Sequence, residues 1–262
     1  DVRESFLKAM ITLAALIVFS TELLSVFVLL KFEWILGFWI AVNLALGTFF
    51  VNLSRKSEFR KGVSAIWAKL LESFKPPANA ILYLVLFIIS STVLVIALVA
   101  PPNTADSIAY HLPRVAHWVQ NATVDFYPTS ITRQLFNGPY IGYGVAHLQI
   151  LAGSDRFANL VQYLSFITCA LAVSLLSREF GLNAKFQLLS AVLFAALPMA
   201  ILQGSGSQTD MTVSVFILLF FYFYYRGAHS GSPSDFVFAG FALGAALLSK
   251  GNAFLFCFPV NL

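Results

Sequence analysis

The chain has 262 residues, of which 59% are hydrophobic and 11% charged. An ordinary soluble domain is about 45–50% apolar and about 25% charged, so a soluble enzyme, a disordered chain and a coiled coil are all excluded. The mean hydropathy of +0.82 and the 27 phenylalanines fit an integral membrane protein with many Phe facing lipid. The net charge of +4 is small and its basic residues are clustered, which reads as membrane topology and not as nucleic-acid binding.

Apolar runs occupy 9–30, 34–53, 79–100, 157–177, 186–203, 211–225 and 236–248, and an eighth begins at 253. Most approach the ~20 residues that cross ~30 Å of hydrocarbon; 211–225 and 236–248 are short and read as tilted, broken or re-entrant. The expected fold is an all-α polytopic membrane protein with at least seven transmembrane helices and one long interfacial loop. Residue 1 is Asp and Leu262 lies within an apolar segment, so the sequence reads as the N-terminal part of something longer. Cys169 and Cys257 each sit inside an apolar run and form neither a disulfide framework nor a metal motif.

Three stretches organise the chain. Residues 1–53 read as an N-terminal two-helix unit, 54–78 as a basic amphipathic loop, and 79–262 as the transmembrane core. The 54–78 loop carries Arg55, Lys56, Arg60, Lys61, Lys69 and Lys75 against Glu58 and Glu72, which marks it as cytoplasmic. Residues 63–71 within it suit a helix on the membrane surface, and Pro76-Pro77 end it. Alternation then puts the N-terminus, the Arg178–Lys185 turn and the Arg226–Asp235 turn on that same side. The 101–156 loop and the Gln203–Asp210 turn fall on the other, extracytoplasmic side.

The 101–156 loop is the only long one, and long ordered loops usually carry function. Pro101-Pro102-Asn103-Thr104 reads as a turn leading to a helix N-cap. Residues 105–120 read as an amphipathic helix with Asp106, Tyr110, Arg114 and His117 on one face, kinked by Pro113. Tyr127-Pro128 and Asn137-Gly138-Pro139 read as turns, and Tyr140–Leu151 as a second interfacial helix.

Asp106 stands just past the third span, where a carboxylate suits cation binding or base chemistry; it equally suits a first-turn acid favoured by the helix dipole. Asp210 opens a span after the flexible turn 204–209, with helix capping as the plain alternative. Arg114 and Arg133 suit bidentate phosphate binding, although Arg114 and Asp106 also suit a simple pair. His117 and His147 read as lipid-headgroup contacts. Lys250 lies between two apolar runs and needs water or an anion, such as a lipid phosphate, or else snorkels. Glu22 lies inside the first run and receives no assignment.

The run Pro101–Trp118, PPNTADSIAYHLPRVAHW, resembles the first extracytoplasmic loop of the bacterial C-type (GT-C) glycosyltransferases. These are similar to protein O-mannosyltransferases and to the aminoarabinose transferase of lipid A. Residues 153–162, Ser207-Gln-Thr-Asp210 and Leu247-Leu-Ser-Lys-Gly251 also look like that group. The resemblance spans roughly 80–262, and residues 9–53 precede its usual starting helix. It implies an inverting membrane glycosyltransferase of the bacterial inner membrane that uses a polyprenyl-phosphate-linked sugar on the extracytoplasmic face. Asp106 and Asp210 match its two loop acids, implied to be catalytic. Tyr110, His111, Arg114, Arg133 and Lys250 are then the candidates for binding the donor phosphate. Asp106 and Asp210 are also candidates for a divalent cation, Mg or Mn. Ser107 stands where many relatives carry a second acid, which weakens the metal expectation. Two rival readings are a transporter of lipid-linked sugars and a non-catalytic subunit working with other membrane subunits. Membrane lipids are expected partners in every case, and nucleic acid in none.

Overall fold

The computed structural model of the chain describes residues 1–73 and 76–258. The expectations placed on Lys75, on the side chains of Glu58, Arg60 and Lys69, and on the apolar run beyond 258 lie outside the described residues. Among those residues the chain is helical and contains no strand. The helices are α1 (Val2–Val26), α2 (Phe32–Ser54), α3 (Ser57–Ser73), α4 (Pro77–Val99), α5 (Leu112–Asn121), α6 (Arg133–Phe136) and α7 (Tyr140–Ala152). They continue as α8 (Leu160–Glu179), α9 (Ala184–Ala195), α10 (Pro198–Gly204), α11 (Asp210–Ser230), α12 (Pro233–Ser249) and α13 (Ala253–Cys257).

Five helices are long and apolar enough to cross a membrane, and a sixth is gained if the bent pair α9–α10 is one span. The polytopic fold is therefore present, while the expected count of seven is not reached on this measure. At 17 residues α12 is about 26 Å long, short of the ~30 Å hydrocarbon core. Two expectations need correction. The 186–203 run is not one straight span: α9 and α10 meet at 68°. Pro198 opens α10 and Leu197 before it is extended, because proline disfavours helical backbone in the residue preceding it. Conversely, the 211–225 run is neither short nor broken. It lies within the 21-residue α11, and the helix runs on through Arg226 to a left-handed Gly231.

The outer surface is apolar, as membrane solvation requires: Phe19, Phe49, Phe87, Phe186 and Phe241 are all about half exposed or more. Small and aromatic residues fill the interior, with Phe166, Leu219, Tyr222, Phe223, Ala242 and Ala246 almost fully buried around α8, α11 and α12. The N-terminal helix α1 packs into this core against α7, α8 and α12, whereas α2 touches mainly α7 and α3.

The two ends of the bundle differ in chemistry. At one end Asp1, Arg3, Glu4 and Lys8 of the N-terminal segment meet Arg178, Arg226 and Asp235. Arg178 reaches Asp1 at 2.7 Å, Lys8 reaches Glu4 at 2.9 Å, and Arg226 pairs with both Glu4 and Asp235. Alternation of the spans assigns all these residues to one side of the membrane, and the structure places them together. The Asp106 loop, the start of α11 and the end of α12 form the opposite end.

The 101–156 loop is more deeply folded than its sequence suggests. Thr104 caps the first turn, as expected, by accepting from Ser107 N at 3.3 Å. Residues Ser107–His111 form a π-helical turn and α5 follows, with Pro113 in its first turn. Proline has no N–H to offer the Ala109 carbonyl four residues back; that carbonyl instead accepts from Gln134 Nε2 at 3.1 Å. The polar face expected to meet water is folded inward, since Tyr110, His111 and Arg114 are buried while Ile108 is exposed. Nor does α7 lie on a surface: Tyr140 through His147 are all buried among α1, α2, α5 and α8.

Cysteine labelling tests the two-sided arrangement. Ser64→Cys and Ser130→Cys are expected to label from opposite faces of sealed vesicles, with low background because Cys169 and Cys257 are buried. Labelling of both from one face would overturn it.

Candidate functional site

The site is assembled by three local structures that meet at the loop end of the bundle. The first is the start of the loop. Asp106 precedes the π-helical turn without capping it. Tyr110 is folded beneath, and its phenol is pushed up to about 12 by burial, then by its hydrogen bond to the Asp106 carboxylate and by that charge. Arg133, at the start of α6, lies over the Tyr110 ring with its guanidinium carbon 5.9 Å from the centroid.

The second structure is the turn before α11. Ser207 Oγ donates to Ser107 Oγ at 2.7 Å, and Thr104 Oγ1 lies 2.6 Å from that same Ser107 oxygen. One hydroxyl cluster thus ties the residue after Asp106 to the turn that presents Asp210. Gln162 of α8 braces the turn from below, donating to the Gln208 carbonyl and accepting from Thr212 N at 3.2 Å. Asn159 donates to the Ala100 carbonyl at 2.9 Å and fixes the exit of α4. The 153–162 stretch therefore works as scaffolding for both acids.

The third structure is the end of α12. Lys250 leaves the helix in extended conformation, and its Nζ donates to Asp210 Oδ1 at 2.6 Å. Both side chains are more than 40% exposed, so the pair adds little to stability. Its placement comes from the backbone. Gly138 lies so close to the α12 terminus that a Cβ on it would stand 2.4 Å from the Leu248 and Ser249 carbonyl oxygens. Arg114 holds this Asn137-Gly138 segment, donating through Nη1 to the Asn137 carbonyl at 2.7 Å and through Nη2 to the Gly138 carbonyl at 3.0 Å.

The sequence-predicted residues thus divide. Asp106, Tyr110, Arg133, Asp210 and Lys250 share one neighbourhood, and the charges of Asp106, Asp210, Lys250 and Arg114 all act on His111. Arg114 departs from its expected role. It is 2% exposed, stacks on Trp118 and donates to two carbonyls, so it organises the loop and does not face a phosphate. Nor does Arg114 pair with Asp106. The headgroup reading fails for the buried His147, while His117 is only partly buried. His117 stacks on Tyr127 at 4.1 Å, and His147 is buried between Thr21 and Trp39. Because the Trp39 indole only donates, His147 Nδ1 must accept and Nε2–H must donate to Thr21, which fixes a neutral tautomer.

His111 is neutral as well. Burial, and then the Arg114 charge, lower it to about 4, and its Nδ1 is buried without a hydrogen-bond partner among the described residues. For a divalent cation the donors are few. Among the described residues no three His, Cys, Asp or Glu side chains converge, and Lys250 supplies at Asp210 the positive charge expected of a metal. The residues missed from the sequence were Gly138, Ser107 and Ser207. The Asn-Gly-Pro turn marked Gly138, and Ser107 and Ser207 stood beside the two acids without a role of their own.

Gly138→Ala is expected to cost about 1–3 kcal/mol, the range for forced overpacking, and to expose 124–139 to protease. Unchanged melting and unchanged cleavage would refute the docking of this loop. His111 gives a pH test. Its folded value of about 4 lies below the ordinary 6.5, so the unfolded chain binds the proton first. The His111 contribution to stability is constant above about pH 6.5 and declines as pH falls from there toward 4. In melting curves over that range, His111→Gln should flatten the acid limb.

Residues 138–262 match the family described as dolichyl-phosphate-mannose-protein mannosyltransferase. The match holds Asp210, Lys250 and the Gly138 contact, while Asp106 lies before it. No curated protein and no solved structure matches the chain. The chain thus carries several helices long and apolar enough to cross a membrane, and over residues 138–262 it is similar to that mannosyltransferase family.

Proposed function

We propose that the protein transfers a sugar from a polyprenyl-phosphate donor to an acceptor hydroxyl at the membrane face that carries the 101–156 loop. The observation that carries this reading is the Ser207–Ser107 hydrogen bond, which ties the segment of Asp106, with Arg133 over Tyr110, to the turn that presents the Asp210–Lys250 pair. A donor anchored in the bilayer presents its phosphate at that depth. We further propose that this face is the extracytoplasmic side of a bacterial inner membrane, in keeping with the basic 54–78 loop at the other side.

The chemistry divides among these residues. The acceptor oxygen attacks the anomeric carbon from the face opposite the phosphate, and a new C–O bond forms. The bond from that carbon to the phosphate oxygen breaks, its electron pair stays on the phosphate, and the configuration inverts. Lys250 and Arg133 offset the charge that grows on the leaving phosphate. Asp106 takes the acceptor proton as general base. Asp210 orients the Lys250 ammonium through their hydrogen bond. Neutral His111, buried behind them, adds no charge at working pH.

In proteoliposomes supplied with a polyprenyl-phosphate sugar, Asp106→Asn keeps the shape and removes the base. Turnover should fall at least ~10²-fold, the low end for losing a general base. Lys250→Met should also lose ~10²-fold, as for removal of one group stabilising a developing anion, and Lys250→Arg should recover part of it. Full turnover in Asp106→Asn would overturn the reading.

A further inference from the structure

We infer that α1, α12 and the 101–156 loop together form a binding site for one membrane amphiphile, with an uncharged hydroxyl-bearing headgroup and a hydrocarbon chain. Two cavities meet at the same two residues. One is a groove of about 800 Å³ between α1 and α12, walled by apolar side chains such as Ile11, Val18, Leu23 and Phe241. The other, of about 510 Å³, lies under the loop and includes polar groups of Asp125, Gln134 and Tyr143. Glu22 and Leu248 line both.

Glu22 is the feature to explain. It lies one turn from the end of a membrane-spanning helix, where a carboxyl group facing lipid is costly. It is exposed, and among the described residues only the Tyr143 hydroxyl donates to it. A carboxylate offers about four acceptor positions, so capacity remains at the junction of the two cavities. The charged lining of the loop cavity is Glu22, Asp125 and Arg114. Both terminal nitrogens of Arg114 already donate to carbonyls. Two carboxylates against one engaged guanidinium disfavour an anionic headgroup and favour hydroxyl donors. The groove is open as well: a Cβ at Gly240 or Gly244 would meet nothing within 4 Å. A partly polar chamber that shares two wall residues with an open apolar trough on a membrane-spanning helix fits a molecule with a head and a tail. Since α1 lies outside the matched residues 138–262, likeness to the family gives it no role. The site is distinct from the one proposed for sugar transfer, because the Gly138–Leu248 contact stands between it and Lys250.

Photolabelling tests the site without turnover, so its outcome is independent of whether sugar transfer is observed. The full chain is placed in phosphatidylcholine nanodiscs doped with a glucosyl diacylglycerol carrying a diazirine in one chain, and labelled peptides are mapped by mass spectrometry. Label is expected to concentrate in 11–26 and 237–248. Glu22→Gln should reduce it about fivefold, the difference between a charged and a neutral acceptor. Gly244→Phe, at a position where a Cβ meets nothing within 4 Å, should remove it. Ile88→Phe on the exposed face of α4 should leave it unchanged, and a diazirine phosphatidic acid should label more weakly. Label spread evenly over α2 and α4, label retained in both Glu22→Gln and Gly244→Phe, or equal labelling by the anionic probe would each overturn the inference.

Discussion

The buried guanidinium of Arg114 is the interaction on which the loop end depends. A side chain with five donors and a fixed charge, 2% exposed, must be satisfied where it lies. Two successive carbonyls, those of Asn137 and Gly138, engage its two terminal nitrogens, while Nε is buried without a partner among the described residues. Hydrogen bonds to a charged group are worth about 1.5–3 kcal/mol each, enough to fix a turn that would otherwise be free. Because residue 138 is glycine, the fixed turn comes within backbone contact of the α12 terminus. That contact sets where α12 stops and where Lys250 emerges. Lys250 in turn reaches Asp210. One buried cation thereby transmits position over three elements to a solvent-facing ion pair that could not hold itself in place.

The opposite end uses the same kind of force differently. There Asp1, Glu4 and Asp235 alternate with Lys8, Arg178 and Arg226 in a network of short ion pairs. Asp235 is 1% exposed, so its charge needs these partners more than the rim residues do. The network ties the start of α1 to the ends of α8 and α11 and to the start of α12. At the other end of α1, Ser25 bonds with Thr123 at 3.0 Å and accepts from Val124 N at 2.8 Å. The N-terminal helix is thus clamped at both ends, which is what allows Glu22 to hold a fixed place beside the loop cavity.

Function on a membrane face requires charges at a depth where lipid would exclude them singly. The protein meets this by making each charge local to a partner or a carbonyl, and by leaving the cations Arg133 and Lys250 at the open side. Neutral groups fill the space behind: His111, Tyr110 and the Ser107–Ser207 hydroxyls. Under the transferase reading, a phosphate arriving there would meet the cations Arg133 and Lys250 in front and these neutral groups next behind, an arrangement suited to a leaving group that gains charge as its bond breaks.

The sequence by itself determined the membrane class, the places where most helices run, and the division of charges between the two sides. These follow from composition and from 20-residue apolar periodicity, which are local properties. It also marked Asp106, Asp210 and Lys250, because a charge near the end of an apolar run is conspicuous, and Arg133 as a cation of the long loop. The fate of Arg114 was decided only by tertiary structure. Its spacing from Asp106 on an ideal helix suggested a shared polar face, and the π-helical turn at Ser107–His111, upstream of Pro113, broke that register. Likewise Pro198 could be seen, but the 68° bend it permits depends on how α9 and α10 pack against α4 and α8. The burial of α7, the neutral tautomer of His147 and the junction at Glu22 belong to the same class. Each depends on residues far apart in the chain, such as Thr21 with His147 and Glu22 with Tyr143, and no local pattern records which distant surfaces will meet.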